Sequence, residues 1–108
     1  MNEVLYALCR HCVCIMQGWI PMPSTLLSQI LGKTLYQTRK ELKRLKQQGL
    51  IESVRHCQVG EDRNYLMCGY QITDKAKSTP EYEKAWNEER QLCKEALGID
   101  IGEKEAPG

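Results

Sequence analysis

The chain has 108 residues, of which 42% are hydrophobic and 27% charged, and its formal net charge is only +1. This length suits one domain with a single core, and no apolar run is long enough to span a bilayer. Glu3, Arg10 and His11 interrupt residues 1–17, which excludes a signal peptide pattern. We therefore expect a cytoplasmic protein with no membrane partner.

The charge is unevenly distributed along the chain. Residues 33–55 carry seven bases and two acids, a net of +5. Residues 81–108 carry eight acids and four bases, a net of −4. A basic segment of this kind suits a polyanionic partner, whereas the acidic end suits solvent or a different partner.

The first predicted element is an amphipathic helix over residues 3–17. Helical spacing places five apolar residues on one face: Leu5, Leu8, Cys12, Ile15 and Met16. Gly18 ends this helix. The WIPMP segment that follows contains two prolines, which exclude a helix and predict a short strand or an extended link.

Two short helices follow, separated by the turn Gly32-Lys33-Thr34. Ser24 is predicted to cap the helix STLLSQIL, whose inward residues are Leu27, Ile30 and Leu31. The next helix stops at Gly49, which suits a left-handed position, and its inward stripe is Leu35, Thr38, Leu42 and Leu45. Two short helices joined by a turn that contains Gly are typical of a helix-turn-helix, here over residues 24–49.

The periodicity changes after Gly49. The segments LIESVRHC and YLMCGYQIT have strand character, and QVGEDRN between them is rich in turn-forming residues, so residues 50–73 predict a β-hairpin. Ser78-Thr79-Pro80-Glu81 is typical of a helix start, which predicts a last helix over residues 79–97. Its apolar face is Tyr82, Ala85, Trp86, Leu92, Cys93, Ala96 and Leu97. Residues 98–108 lack periodicity and predict a flexible tail.

The predicted order is helix, short strand, helix, turn, helix, hairpin, helix. This is the winged-helix arrangement, within a single domain over residues 1–97 that is mainly α with a small β-hairpin, a winged helix-turn-helix with an added C-terminal helix. The segments LLSQILGKTLYQTRKELKRLKQQGLI and GYQITDKAK, within residues 5–77, resemble the winged helix-turn-helix transcription regulators of the MarR and PadR families. Ala76 stands where these families usually have Gly. The resemblance implies a dimeric regulator, acting as a repressor, that binds double-stranded DNA.

The second helix of a helix-turn-helix lies in the major groove of DNA and contacts base edges. If the apolar stripe of this helix faces the core, Gln37 suits adenine and Lys40 suits guanine. Lys33, Lys43 and Arg44 suit backbone phosphates, which position a protein without specifying sequence. The full set of predicted DNA-contacting residues is Lys33, Thr34, Tyr36, Gln37, Lys40, Lys43, Arg44 and, near the hairpin tip, Arg63.

A basic helix face is not confined to DNA-binding proteins. It can be solvated, or it can meet an acidic protein, since some winged helices act as protein-interaction modules in replication or transcription assemblies. We expect DNA binding, with the protein-interaction module as the alternative. No Gly-rich phosphate loop, nucleophile paired with a base, or pair of carboxylates in an apolar setting is present, so neither catalysis nor a cofactor is expected.

The six cysteines are interpreted as free thiols. No second CxxC motif accompanies Cys9 and Cys12, so a structural metal site is not expected. The cysteines predicted to be small buried hydrophobic residues are Cys9, Cys12, Cys68 and Cys93. The alternative is a thiol or metal sensor at Cys57, beside His56 and with Cys68 as its partner across the hairpin.

The apolar face of the last helix is larger than an outlying helix would leave in water. It packs either on the first helix or on a second copy of the chain. We favour a homodimer through the first and last helices, because a dimer places two recognition helices one DNA turn apart. Glu88 and Glu89 are interpreted as a solvated face. Trp86 is the main predicted anchor of an interface that comprises Tyr82, Trp86, Cys93 and Leu97.

Overall fold

The computed structural model describes residues 1–16, 20–59 and 64–102, and for residues 56–59 and 64–65 it describes the backbone only. Within this part of the chain lie four α-helices, one antiparallel pair of strands and a short 3-10 helix. They are α1 (Glu3–Val13), α2 (Ser24–Leu31), α3 (Leu35–Gln47), β1 (Ile51–Val59), β2 (Asn64–Ile72), the 3-10 helix (Asp74–Ser78) and α4 (Pro80–Leu97). The mainly helical class with a small hairpin is thus confirmed. None of the described helices combines the length and hydropathy that a bilayer span requires.

α1 begins at Asn2, whose side-chain oxygen accepts a hydrogen bond from the backbone N–H of Leu5. The helix ends at Val13, because Cys14 adopts an extended backbone conformation. The predicted helix over residues 3–17 was therefore too long. Ile15 and Met16 are exposed rather than inward. The buried stripe instead consists of Val4, Leu5, Leu8, Cys9 and Val13.

α2 and α3 are joined by a tight turn. Pro23 precedes α2 and Ser24 is its first residue, so the predicted cap at Ser24 is wrong by one position, and the Pro23 that stands there has no side-chain group to accept a hydrogen bond. Gly32 ends α2 in the left-handed region, with φ of 64°. Leu27 is buried as predicted, but Ile30 is exposed, because this two-turn helix buries only a narrow stripe.

α3 begins with a reciprocal pair of hydrogen bonds. The Thr34 hydroxyl accepts from the backbone N–H of Gln37, and the Gln37 side-chain oxygen accepts from the backbone N–H of Thr34. This capping box fixes the start of the helix. The predicted inward stripe is confirmed for Thr38, Leu42 and Leu45, which are buried. Gly49 follows the helix in the predicted left-handed conformation.

The two strands pair in register from Ile51 opposite Ile72 to the far end of the hairpin. Cys57 lies opposite Leu66, and Cys68 opposite Arg55, so the predicted pairing of Cys57 with Cys68 is wrong. Directly opposite residues share a face of the sheet. The register follows from burying Ile51 on the core side, since a slip by one residue would turn it outward.

The link before α2 pairs with β2 as a short third strand beside the hairpin. Met22 and Tyr70 exchange backbone hydrogen bonds of 3.1 and 2.9 Å in an antiparallel bridge. The extended conformation predicted for the Pro-rich link is confirmed at this position. Gly69 lies so close to the same link that a Cβ atom placed on it would come within 2.6 Å of the Met22 backbone.

α4 packs against α1 and begins as predicted, with Thr79 as its cap and Pro80 at its first position. An ion pair joins the two helices: Arg10 Nη1 donates to Glu89 Oε2 at 3.2 Å and to the carbonyl oxygen of Ala85 at 3.1 Å. Glu89 is only 3% exposed, so its assignment to a solvated face is wrong. Its spacing from Ala85 and Cys93 places it on the buried side of α4.

The residues after α4 fold back onto it. Gly98 is left-handed and Ile99 N–H donates to the carbonyl oxygen of Cys93. Asp100 accepts from Arg90 Nε at 2.8 Å, and Trp86 Nε1 donates to the carbonyl oxygen of Gly102 at 2.9 Å. The predicted flexible tail therefore does not begin at residue 98. Residues 98–102 are held against α4 by these bonds.

Candidate nucleic-acid interface

The side of α3 opposite its buried stripe is exposed and basic. Helical spacing places Tyr36, Lys40, Lys43 and Arg44 on this side, and all four are exposed. Lys40 and Lys43 form no ion pair with any residue that the structure describes. Tyr36 is 75% exposed, which leaves its ring and hydroxyl accessible. An exposed cation without a neighbouring carboxylate is suited to a phosphate oxygen.

Thr34 and Gln37 lie on the predicted surface, but each side chain already accepts from the other residue's backbone N–H in the capping box. A bidentate pair with adenine needs both the oxygen and the NH₂ group of an amide. The Gln37 oxygen accepts from the backbone N–H of Thr34, so the closed capping box holds this side chain against the start of the helix. The local role of these two side chains follows from their spacing, which is itself a sequence signature of a helix start.

Two acids flank the basic side through contacts that the sequence did not predict. Lys33 Nζ lies 3.0 Å from Glu3 Oε2, and Arg44 Nη1 lies 3.8 Å from Glu41 Oε2. Asn2 Nδ2 donates to the other oxygen of Glu41 at 2.6 Å. The first turn of α1 is thus part of the same surface. No local sequence pattern signals these contacts, because Asn2 and Glu41 are 39 residues apart in the chain.

These groups enclose a wide groove of about 970 Å³ between the start of α1 and the length of α3. Five of the predicted DNA-contacting residues line it, namely Lys33, Gln37, Lys40, Lys43 and Arg44. The structure therefore brings most of the predicted set together. Four of the lining side chains are cationic and two, Glu3 and Glu41, are acidic, so the groove is suited to an anionic partner.

On its other side the basic surface continues onto β1. Lys46 Nζ donates to the Ser53 hydroxyl at 3.2 Å. Arg55 is exposed and shares a strand face with Ser53, since alternate residues of a strand point the same way. The basic surface thus extends from helix to hairpin through Lys46 and Arg55. Arg63, the predicted hairpin contact, lies outside the described residues.

The described cysteines carry free thiols in different environments. Cys9 and Cys93 are buried as predicted, and burial raises the pKa of the Cys9 thiol to about 12. Cys68 is exposed, so its assignment to the core is wrong; it lies on β2 beyond the bridge to Met22. The side chain of Cys57 lies outside the described residues. Among the described side chains, no group of three or more potential ligands is placed to hold a metal ion.

The predicted dimer residues are divided between core and surface. Tyr82 and Cys93 are buried within their own chain, which contradicts their assignment to an interface. Trp86 is half-buried, stacks on Tyr82 with ring centroids 6.2 Å apart, and donates its indole N–H to Gly102. Leu97 is exposed. A small core needs these aromatic side chains for itself, so α4 offers less surface than its sequence suggested.

The surface combines an exposed helix, lysines that no described acid neutralises and a long open groove. A surface of this kind is suited to an anionic partner. Comparisons with known proteins add no further guide. No protein-family model, no curated protein and no solved structure matches this chain.

Proposed function

We propose that this protein is a winged-helix DNA-binding module that regulates transcription, with α3 as its recognition helix. The observation that carries the proposal is the exposed face of α3, where Lys40 and Lys43 have no acidic partner among the described residues. Lys33 and Arg44 lie beside them along one groove. A Lys or Arg side chain that contacts a phosphate releases bound counterions from DNA, so such a surface contributes affinity for duplex DNA.

The order and pairing of the elements support the same proposal. α2 and α3 are joined by a short turn with a left-handed Gly32, as in a helix-turn-helix. β1 and β2 would then be the wing, and the Met22–Tyr70 bridge supplies a short third strand at its base. In this arrangement α3 lies in the major groove and the hairpin lies beside it.

The test is a titration of the purified protein against a fluorescent random-sequence duplex at several salt concentrations. We expect micromolar binding that weakens steeply with salt. The plot of log K against log salt has a negative slope, and its magnitude should decrease by about 0.9 for each phosphate contact removed. The double variant Lys40→Ala/Lys43→Ala should therefore bind more weakly and with a slope shallower by about one, since Lys43 is the predicted phosphate contact and Lys40 the predicted base contact.

The matched control is Lys84→Ala/Lys94→Ala, which removes the same charge from α4. It should bind the duplex nearly as the unaltered protein does. Equal losses in both variants would show that only net charge matters and would contradict a recognition surface on α3. Absence of binding at low salt would contradict DNA binding altogether.

We also propose that the protein acts as a homodimer, through the end of α4. Leu92, Leu97 and Ile99 are exposed there although they are large and apolar. Such side chains in a small domain favour burial against a partner. Two copies joined in this way would present two recognition helices, which suits a palindromic site.

A protein-interaction module is the second candidate, because Tyr36 stands exposed amid the bases of α3. Tyrosine with neighbouring cations is a common anchor of protein interfaces. An acidic protein partner would use the same side chains, so the duplex titration separates the two candidates. Failure to bind duplexes at low salt, together with capture of an acidic partner that Lys40→Ala/Lys43→Ala abolishes, would favour the second.

A further inference from the structure

Glu41 is an acid on the face of the helix that is otherwise basic, and it is not solvated like an ordinary surface carboxylate. Its side chain is 26% exposed, and both of its oxygens are engaged. Oε1 accepts from Asn2 Nδ2 at 2.6 Å, and Oε2 lies 3.8 Å from Arg44 Nη1. A carboxylate at this position repels an anionic partner, yet two contacts hold it in place.

Asn2 is itself fixed at both ends of its amide. Its oxygen caps α1 by accepting from the Leu5 backbone N–H at 3.0 Å, and its NH₂ group holds Glu41. An amide committed in this way has little rotamer freedom left. The first turn of α1 therefore determines where the Glu41 carboxylate lies, although the two residues belong to different helices.

Arg44 is the residue whose side-chain position depends on the Glu41 carboxylate. Its side chain is 69% exposed and has several rotatable bonds, so alone it would lose much conformational entropy on binding. Its Nη1 lies 3.8 Å from Glu41 Oε2, an ion-pair contact without a hydrogen bond, so the carboxylate attracts the guanidinium to this side of the groove. The remaining N–H donors of the planar group are then left for a second acceptor. An oriented guanidinium is the group that pairs with O6 and N7 of guanine.

We propose that Asn2 and Glu41 are positioning residues that orient Arg44 toward a guanine edge. Sequence discrimination by α3 then depends on the first turn of α1. This inference rests on the proposed DNA binding and reassigns Arg44 from a phosphate to a base.

The experiment begins with selection of preferred duplexes from a random pool by the unaltered protein. Affinities for the selected duplex and for random duplex are then measured at one salt concentration. Glu41→Gln keeps an oxygen for Asn2 but loses the charge that holds Arg44. We expect it to bind random duplex more tightly, because a repulsive charge is gone, while the ratio of selected to random affinity falls by about tenfold.

Two further variants make the outcome specific. Glu3→Gln removes the same charge from the same groove but leaves Arg44 paired, so it should raise both affinities and keep their ratio. Asn2→Asp retains a cap for α1, removes the donor to Glu41 and adds a charge. It should lower the ratio as Glu41→Gln does, yet weaken binding to random duplex. The opposite changes in general affinity separate orientation of Arg44 from simple electrostatics.

The outcomes are distinguishable from failure of the proposed function. A ratio unchanged in both Glu41→Gln and Asn2→Asp, with helical circular dichroism intact, would overturn the positioning role while DNA binding stood. Binding without any preferred duplex would overturn it as well. If the unaltered protein bound no duplex at low salt, the proposed function itself would fail, and this inference with it.

Discussion

A side chain at Gly69 would meet the backbone of Met22 at 2.6 Å, closer than a methyl group can approach a carbonyl. This contact arises because the Pro-rich link runs alongside β2. Met22 in the link exchanges backbone hydrogen bonds with Tyr70, the residue that follows Gly69. Backbone cannot yield as a flexible side chain can, so the site admits only hydrogen. Gly in a strand interior often marks such a close approach.

Gly69→Val is therefore expected to destabilise the protein by about 3 kcal/mol, because it separates the link from the hairpin and overpacks the site. The control is Gly32→Ala, which meets no atom within 4 Å but takes a left-handed conformation. It should cost about 1 kcal/mol. Urea denaturation followed by circular dichroism measures both, and equal losses would contradict a steric role for Gly69.

At the residue scale, the sequence correctly predicted turns and helix caps, because these depend on adjacent residues. The left-handed Gly49 and the Thr79 cap were foreseen because turn and cap chemistry depend on a few adjacent side chains. Glu41 and Glu89 were not foreseen as paired groups. Their partners, Asn2 and Arg10, lie far away in the chain, and only the packing of α1 against α3 and α4 brings them together.

At the scale of elements, the segment after α4 is the clearest departure from the sequence prediction. Asp100 accepts from Arg90, and the backbone N–H of Gly102 donates to the same carboxylate. The Arg90 hydrogen bond, followed by that of Gly102, holds the pKa of Asp100 well below its ordinary value. The composition of residues 98–102 does not show this, because the partner Arg90 belongs to the preceding helix.

This lowered pKa predicts how the segment responds to acid. The ordinary pKa of an Asp carboxyl is about 4. A carboxyl whose pKa is lowered in the folded state stabilises that state at pH values above this ordinary pKa, and the stabilisation is lost as the pH falls through the lowered pKa. In a Trp19→Phe background, emission from Trp86 should shift to the red as its bond to Gly102 is lost. Circular dichroism on the same samples shows whether the helices remain.

Asp100→Asn provides the comparison for this pH titration. Because the amide carries no charge for Arg90, the shifted Trp86 emission should already be present at neutral pH and should not titrate. Unaltered emission of Asp100→Asn at neutral pH would contradict the role of the Asp100–Arg90 pair in holding the segment.

The helical stripes show which element features follow from sequence. Residues Thr38, Leu42 and Leu45 of α3 are buried as their spacing predicts, since every helix in a small domain must turn its apolar side to one core. Ile30 and Ile15 are exposed. Periodicity alone does not say where a helix stops or how much of its stripe a neighbour covers, so these two were assigned to the core in error.

At the scale of the whole molecule, the basic groove and the exposed end of α4 are separate surfaces, and the second is the candidate for self-association. We expect sedimentation at micromolar concentration to give twice the mass of the chain, and Leu97→Glu to give the mass of a monomer. Leu66→Glu is the matched change, since Leu66 is also exposed but lies on β2. A monomeric unaltered protein would contradict the dimer.

The Met22–Tyr70 bridge ties the two ends of a long stretch of chain into a closed loop that contains α2, α3 and most of the hairpin. Closing such a loop costs chain entropy that only its own contacts repay. The helices and the hairpin inside it are thereby linked as one cooperative unit. Strain applied at the hairpin, as by a bound partner, would reach the start of α2 directly through these two backbone hydrogen bonds.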